Sequence, residues 1–106
     1  MIEVCLLFNL HKGVNEDQYA AWAKKAIVPL LKSPGIVEFK AHRNILGTPQ
    51  VRLTTIWNSL NDWARFAESP DWLRLMGELS TNFATDVEMT IWGPSPIAPG
   101  PLRPSK

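Results

Sequence analysis

Hydrophobic positions along the chain fall into blocks whose period changes from one to the next. Residues 2–10 are a continuous apolar run with β-branched and aromatic members, which predicts a well-buried strand. Ile2, Val4, Leu6 and Phe8 share one face of it; Glu3, Cys5, Leu7 and Asn9 share the other. His11-Lys12-Gly13 ends the strand. The period then lengthens. Tyr19, Trp22, Ala23, Ala26, Ile27, Leu30 and Leu31 recur at helical spacing and predict a helix from about 16 to 32. Asn15 with Gln18 three residues on has the form of a capping box, and Glu16 and Asp17 suit the positive end of the helix dipole. Pro29 should kink or tighten the last turn, and Ser33-Pro34-Gly35 closes it.

Residues 36–45 alternate again. Val37, Phe39 and Ala41 lie on one face; Glu38, Lys40 and His42 lie on the other. Leu46-Gly47-Thr48-Pro49 is turn chemistry, so the next strand, 50–58, should form an antiparallel hairpin with this one. Ser59 with Asp62 caps a second helix carrying Trp63, Phe66 and Ala67. Ser69-Pro70-Asp71 breaks and restarts that helix, and Trp72, Leu75, Met76, Leu79 and Phe83 continue its stripe to about 84. Residues 86–92 alternate as a last strand. From Gly93 on, proline is too frequent for a helix or an interior strand. The chain therefore divides into a folded domain, 1–92, and a Pro-rich tail, 93–106. The tail is expected to be a disordered end or an extended arm over a partner subunit.

The order β-α-β-β-α-β predicts a ferredoxin-like α+β sandwich, with two helices covering one face of a four-stranded antiparallel sheet. Val4, Leu6, Phe8, Phe39, Leu53, Trp57, Met89 and Ile91 form the expected helix-facing core. Parity puts Cys5, Leu7, Ile56 and Trp92 on the opposite face, beside Glu3, Glu38, Lys40, Arg52, Thr54, Glu88 and Thr90. A wet face does not need Leu7, Ile56 and Trp92, and a dry interior does not take so many charges. A second copy packed sheet to sheet, a homodimer, fits this mixture; the other option is a monomer with a mostly wet sheet.

Composition narrows the chemistry. The chain has 106 residues, enough for one domain, and a net charge of +1. No strong field singles out nucleic acid or an acidic membrane. RNA-recognition sheets stack bases on aromatics, but the open faces of strands one and three carry Glu3, Cys5, Leu7, Arg52, Thr54 and Ile56. Cys5 is the single cysteine, which excludes an internal disulfide and a thiolate metal cage; it reads as a small buried hydrophobe. Gly-rich phosphate loops and nucleophile elbows are absent. The opening run is too short to span a membrane and carries Glu3 where a signal peptide wants positive charge, so the cytoplasm is the expected location. Five tryptophans are the unusual count; they fill a core, line a pocket, or both.

A first strand ending in Lys12-Gly13, the stretch from Trp22 to Leu31 followed by Ser33-Pro34-Gly35-Ile36, and Ile56-Trp57-Asn58-Ser59 running into Trp63, Phe66 and Ser69-Pro70 resemble the dimeric α+β barrel superfamily. That group includes antibiotic-biosynthesis-monooxygenase-like, EthD-like and stress-responsive barrel proteins. The resemblance covers roughly residues 2–92. It implies a small aromatic, polyketide or haem ligand between helices and sheet, lined here by Phe8, Tyr19, Trp22, Ala26, Phe39, Trp57, Trp63, Phe66, Met76 and Met89. Aromatics at helical spacing also make an ordinary core. Several catalytic signatures of relatives are missing. The haem-degrading branch places a His on the second helix, where this chain has Met76 and Gly77. EthD-like relatives carry a His before the proline of helix one, where this chain has Ala26-Ile27-Val28. Polyketide-cyclase relatives use a helical His, and neither helix contains one.

Among groups that titrate near neutrality only His11 and His42 qualify. Parity turns His42 toward the open sheet face, while His11 belongs at the pocket mouth. Tyr19 can hydrogen-bond a ligand oxygen; Arg43 and Arg52 can meet a carboxylate or stay solvated. The leading expectation is a monooxygenase-like enzyme that lets an electron-rich aromatic substrate react with oxygen without metal or cofactor. Hydrogen bonds would come from Asn9, Tyr19, Trp22 or Trp57. The alternatives are a non-catalytic binding or stress-related barrel, and an isomerase or cyclase using His11 or His42.

Overall fold

The computed structural model describes residues 1–105. The elements run β1 (Ile2–Leu10), α1 (Glu16–Leu31), β2 (Ile36–Arg43), β3 (Val51–Trp57), α2 (Leu60–Ala67), α3 (Pro70–Asn82) and β4 (Ala84–Trp92). The strands form one antiparallel sheet in the order β2-β3-β1-β4. This is the ferredoxin-like α+β arrangement expected, with the second helix divided in two by Glu68 and Ser69.

Each helix starts on a side-chain cap. The Gln18 amide donates to Asn15 Oδ1 at 3.0 Å, and the Asp62 amide donates to Ser59 Oγ at 3.2 Å. Ser69 repeats the device for α3, accepting from the Trp72 amide at 3.3 Å, with Pro70 in the first turn. Pro29 lies inside α1 near its end, and the helix stops two residues later.

Cross-strand pairing tests the parity argument directly. Val4 stands opposite Thr55 and Leu6 opposite Leu53 on the helix side; Cys5 opposes Thr54 and Leu7 opposes Arg52 on the other. Cys5 also opposes Thr90, and Glu3 opposes Trp92. The open face is therefore composed as expected. On the helix side Trp57, Phe8 and Leu79 are fully buried. Large apolar side chains withdrawn this completely contribute about 1.5–3 kcal/mol each.

Two bulges correct the expected core. The β2–β3 register slips between Ile36 and Glu38, so Val37 drops out of the alternation and is exposed. Ile36 takes the inward place opposite Trp57. The β1–β4 register slips between Leu7 and Asn9, where Asp86 adopts a left-handed φ of 55°. Below this bulge Ala84 is buried. Beyond it, Met89 opposes Leu6 and Ile91 opposes Val4, so both have the expected side. They are exposed all the same, Met89 by 47%, because they lie on an edge strand that no helix covers there.

Residues 93–105 form no helix or strand, and their apolar members Ile97 and Leu102 are exposed. Among the described residues no helix is long and apolar enough to cross a membrane.

The turn after α1 nests beneath the start of α2. The Asn58 amide donates to the Gly35 carbonyl at 2.8 Å. Gly35 has φ +87°, and a Cβ there would collide with the Asp62 side chain. Gly35→Ala is expected to lower the unfolding free energy by about 1–3 kcal/mol in denaturant titration. Gly77, exposed within α3 with open space where its Cβ would be, should behave oppositely. Gly77→Ala should raise stability by about 0.5–1 kcal/mol.

Candidate functional site

A cavity of about 340 Å³ lies between the helices and the sheet. Its floor is the helix side of the strands: Val4 and Leu6 from β1, Val51, Leu53 and Thr55 from β3, Phe39 and Ala41 from β2. One wall is α1, which presents Tyr19, Trp22, Ala23, Ala26, Ile27 and Leu30. The other is α2 and α3, with Trp63, Phe66, Trp72, Leu75, Met76 and Leu79. Helical spacing explains both walls, since residues three and four apart share a face.

The space survives because small side chains on α1 stand between large rings. Ala23 and Ala26 leave room over the sheet. Beside them, Trp22 packs on Phe83 with centroids 5.4 Å apart, and Tyr19 packs edge-on to the same ring at 5.6 Å. On the opposite wall Trp63 meets Trp72 edge-to-face at 4.9 Å and Trp57 at 5.7 Å, and Phe66 meets Trp57 at 5.6 Å. Rings locked against one another in this way cannot collapse into the gap.

Polar groups at the cavity divide into engaged and free. The Trp57 indole N–H donates to Thr55 Oγ1 at 2.8 Å, and Thr55 Oγ1 in turn donates to the Val4 carbonyl at 3.4 Å. The Trp22 indole N–H donates to Glu78 Oε2 at 3.3 Å. Neither indole is therefore spare for a ligand. The Tyr19 hydroxyl and the Trp63 and Trp72 indole N–H groups make no hydrogen bond among the described residues, and none is sealed in. These are the groups able to meet a polar atom on a bound molecule.

The structure brings Tyr19, Trp22, Ala26, Phe39, Trp63, Phe66 and Met76 together around the cavity, as the sequence suggested. Phe8 and Trp57 do not line it. Both are fully buried behind its wall, Phe8 edge-on to Tyr19 and Trp57 against Trp63. Met89 does not reach it, for the edge-strand reason given above.

The four polar candidates scatter. Asn9 lines no cavity. It accepts from the Gln50 amide at 3.0 Å and donates to Asp86 Oδ2 at 3.3 Å, tying the end of β1 to the start of β3 and to the β4 bulge. His11 occupies a separate recess with Lys12, Glu16, Arg43 and Gln50, its Nε2 3.4 Å from the Ser80 carbonyl. His42 opposes Arg52, so strand parity turns it toward the open side, yet it stands among the residues lining the cavity. Of the four, Tyr19 and His42 are among the cavity-lining residues, and Tyr19 alone has the burial of the helix-facing side.

Arg43 and Trp72 were missed as lining. Both signals were present: Arg43 continues the alternation Phe39, Ala41, and Trp72 begins the α3 stripe. Arg43 was read as able to meet a carboxylate or stay solvated, but not as part of the cavity lining. It borders both the cavity and the recess, and its Nη1 donates to Glu16 Oε1 at 2.9 Å.

An apolar chamber between the helices and sheet of a ferredoxin-like α+β fold has the usual form of a small-molecule pocket. The sequence profile of the antibiotic biosynthesis monooxygenase family matches residues 1–78, and the chain belongs to that family. No curated protein sequence matches it. Among solved structures it resembles SnoaB, a cofactor-independent oxygenase from Streptomyces nogalater, at TM-score 0.76 and 14% identity, over 89% of this chain and 92% of that one. It also resembles a dabb family protein with a ferredoxin-like fold from Mesorhizobium loti (TM-score 0.75, 14% identity, 89% of this chain and 96% of that one). An antibiotic biosynthesis monooxygenase aligns at TM-score 0.74 and 10% identity, over 91% of this chain and 100% of that one. At these identities the likeness shows the fold.

Burial pushes the Tyr19 phenol above its ordinary value of 10.0, and the Arg43 guanidinium offsets this in part by favouring the phenolate. The hydroxyl therefore stays a neutral donor throughout the neutral range. Because the folded phenol holds its proton longer than the unfolded one, stability should be level below pH 10.0 and fall as pH rises from there through the folded value. Tyr19 is the only tyrosine, so phenolate absorbance reads it directly. Its midpoint should lie above 10.0 in the folded chain and return to it in denaturant.

Proposed function

We propose that the chain is a cofactor-independent oxygenase acting on a small aromatic or polyketide-type substrate held in the helix–sheet cavity. The observation that carries this reading is a chamber of almost wholly apolar lining, with Tyr19, Trp63 and Trp72 among its lining residues to supply hydrogen-bond donors for oxygen atoms on an aromatic substrate. Family membership and the likeness to SnoaB support it. In such a reaction an electron-rich substrate supplies all the electrons. A methylene between aromatic rings becomes a carbonyl, one atom of molecular oxygen enters the product and the other leaves as water. The protein's part is to exclude water, hold the ring and offer hydrogen bonds where negative charge develops on substrate oxygen.

The His-based isomerase or cyclase reading is less favoured: His11 lies in the separate recess, and His42, though among the cavity-lining residues, is turned by strand parity toward the open face. Oxygen-electrode traces with a panel of anthrones and polycyclic phenols should show uptake that Ala26→Trp, which fills the chamber, abolishes. Thermal stabilisation by these compounds without uptake or product would instead identify a non-catalytic binder.

We further propose that two copies pair through the open sheet face. Leu7 and Ile56 lie half-buried there, and Trp92 is 58% exposed. Apolar residues in such a setting seek a partner surface. Light scattering at tens of micromolar should give twice the 11.9 kDa chain mass, and a single-chain mass would refute the pairing.

A further inference from the structure

The two hollows of this domain meet at one side chain. Arg43 borders the apolar cavity, and it also borders the neighbouring recess with His11, Lys12 and Glu16. It reaches that place through the same alternation that sends Phe39 and Ala41 into the cavity floor. β2 thus delivers two apolar surfaces and then a guanidinium along one line. With His42 turned by parity toward the open face, Arg43 is, among the described residues, the one Lys, Arg, Asp or Glu side chain lining the cavity.

We propose that the ligand is an aromatic acid, whose ring system fills the cavity and whose carboxylate is held by Arg43 where cavity and recess meet. The inference rests on the reading of the cavity as a ligand site and names the class of molecule it takes. A guanidinium presents a fork of donors that matches a carboxylate in two parallel hydrogen bonds. The partner it now has is easily exchanged. Glu16 accepts from Arg43 at 2.9 Å, but the two side chains are 65% and 49% exposed, and ion pairs so open to water add little. Lys12 in the recess adds positive charge opposite the single Glu16. A ligand carboxylate arriving with its ring in the cavity would replace Glu16 on Arg43 in a drier setting, where the same pair is stronger. A neutral ligand would leave Arg43 on Glu16 and forgo this exchange, so the subsite adds affinity for an acid alone.

The test compares naphthoate with naphthalenemethanol, a neutral molecule of nearly the same shape, by calorimetric titration of the full chain at low salt. Naphthoate should bind about tenfold tighter or more. Arg43→Gln should bring naphthoate down to the level of the alcohol. Glu16→Gln, which removes the competing carboxylate at an exposed position, should tighten naphthoate alone. Equal binding of acid and alcohol by the unaltered chain would overturn the carboxylate subsite while leaving the cavity a ligand site. A preference for the acid that persists in Arg43→Gln would overturn the assignment to Arg43. Binding of neither compound would remove the cavity reading and this inference with it.

Discussion

The helices of this domain are held off the sheet by interlocked aromatic rings, and everything functional depends on that separation. Trp57, Trp63, Phe66 and Trp72 form one group, and Phe8, Tyr19, Trp22 and Phe83 another. Each ring meets its neighbours edge-on or tilted, so none can rotate or slide without disturbing several others. Between the groups α1 contributes alanines. Close packing normally removes voids of this size. Here the props are too stiff to yield and the intervening side chains too short to fill the gap.

Rigidity of this kind suits chemistry that asks little of the protein in the way of acids and bases. His42, at the chamber's edge, is turned by parity toward the open face, and burial keeps Tyr19 protonated through the neutral range. What the chamber offers is exclusion of water, a flat apolar slot and a few fixed donors. Those contributions become larger when the substrate is itself readily oxidised. Arg43 adds the one strong electrostatic feature, and it stands at the border of the slot, where an ionised substituent keeps contact with water while the ring is dry.

Bulges do more than end strands in this fold. The irregularity at Asp86 lets Ala84 pack under the helices while preserving the register of Met89 and Ile91 with Leu6 and Val4. Asn9 binds across that point, to the bulge and to the Gln50 amide. A residue that reads as a catalytic amide in a linear scan thus acts as a clamp among three strands. Its polarity is used to satisfy backbone groups where the ladder is interrupted, a need the sequence does not advertise.

The periodicities were legible without coordinates because they are local. Residues two apart share a strand face and residues three or four apart share a helix face, whatever the rest of the chain does. From that rule came the element order, the three helix caps' neighbourhoods, the division of the sheet into a helix side and a mixed side, and seven of the residues around the cavity. Depth was not local. Phe8 and Trp57 have the parity of cavity residues yet lie behind the wall, and Met89 has it yet lies beyond the helices. Val37 lost its side to a bulge that no residue type announces. Whether an indole N–H is free for a ligand was equally hidden, since Trp22 meets Glu78 across 56 positions of sequence. Facing follows from the backbone's repeat; distance, cover and partner depend on where separate elements come to rest against one another, and only the assembled chain decides that.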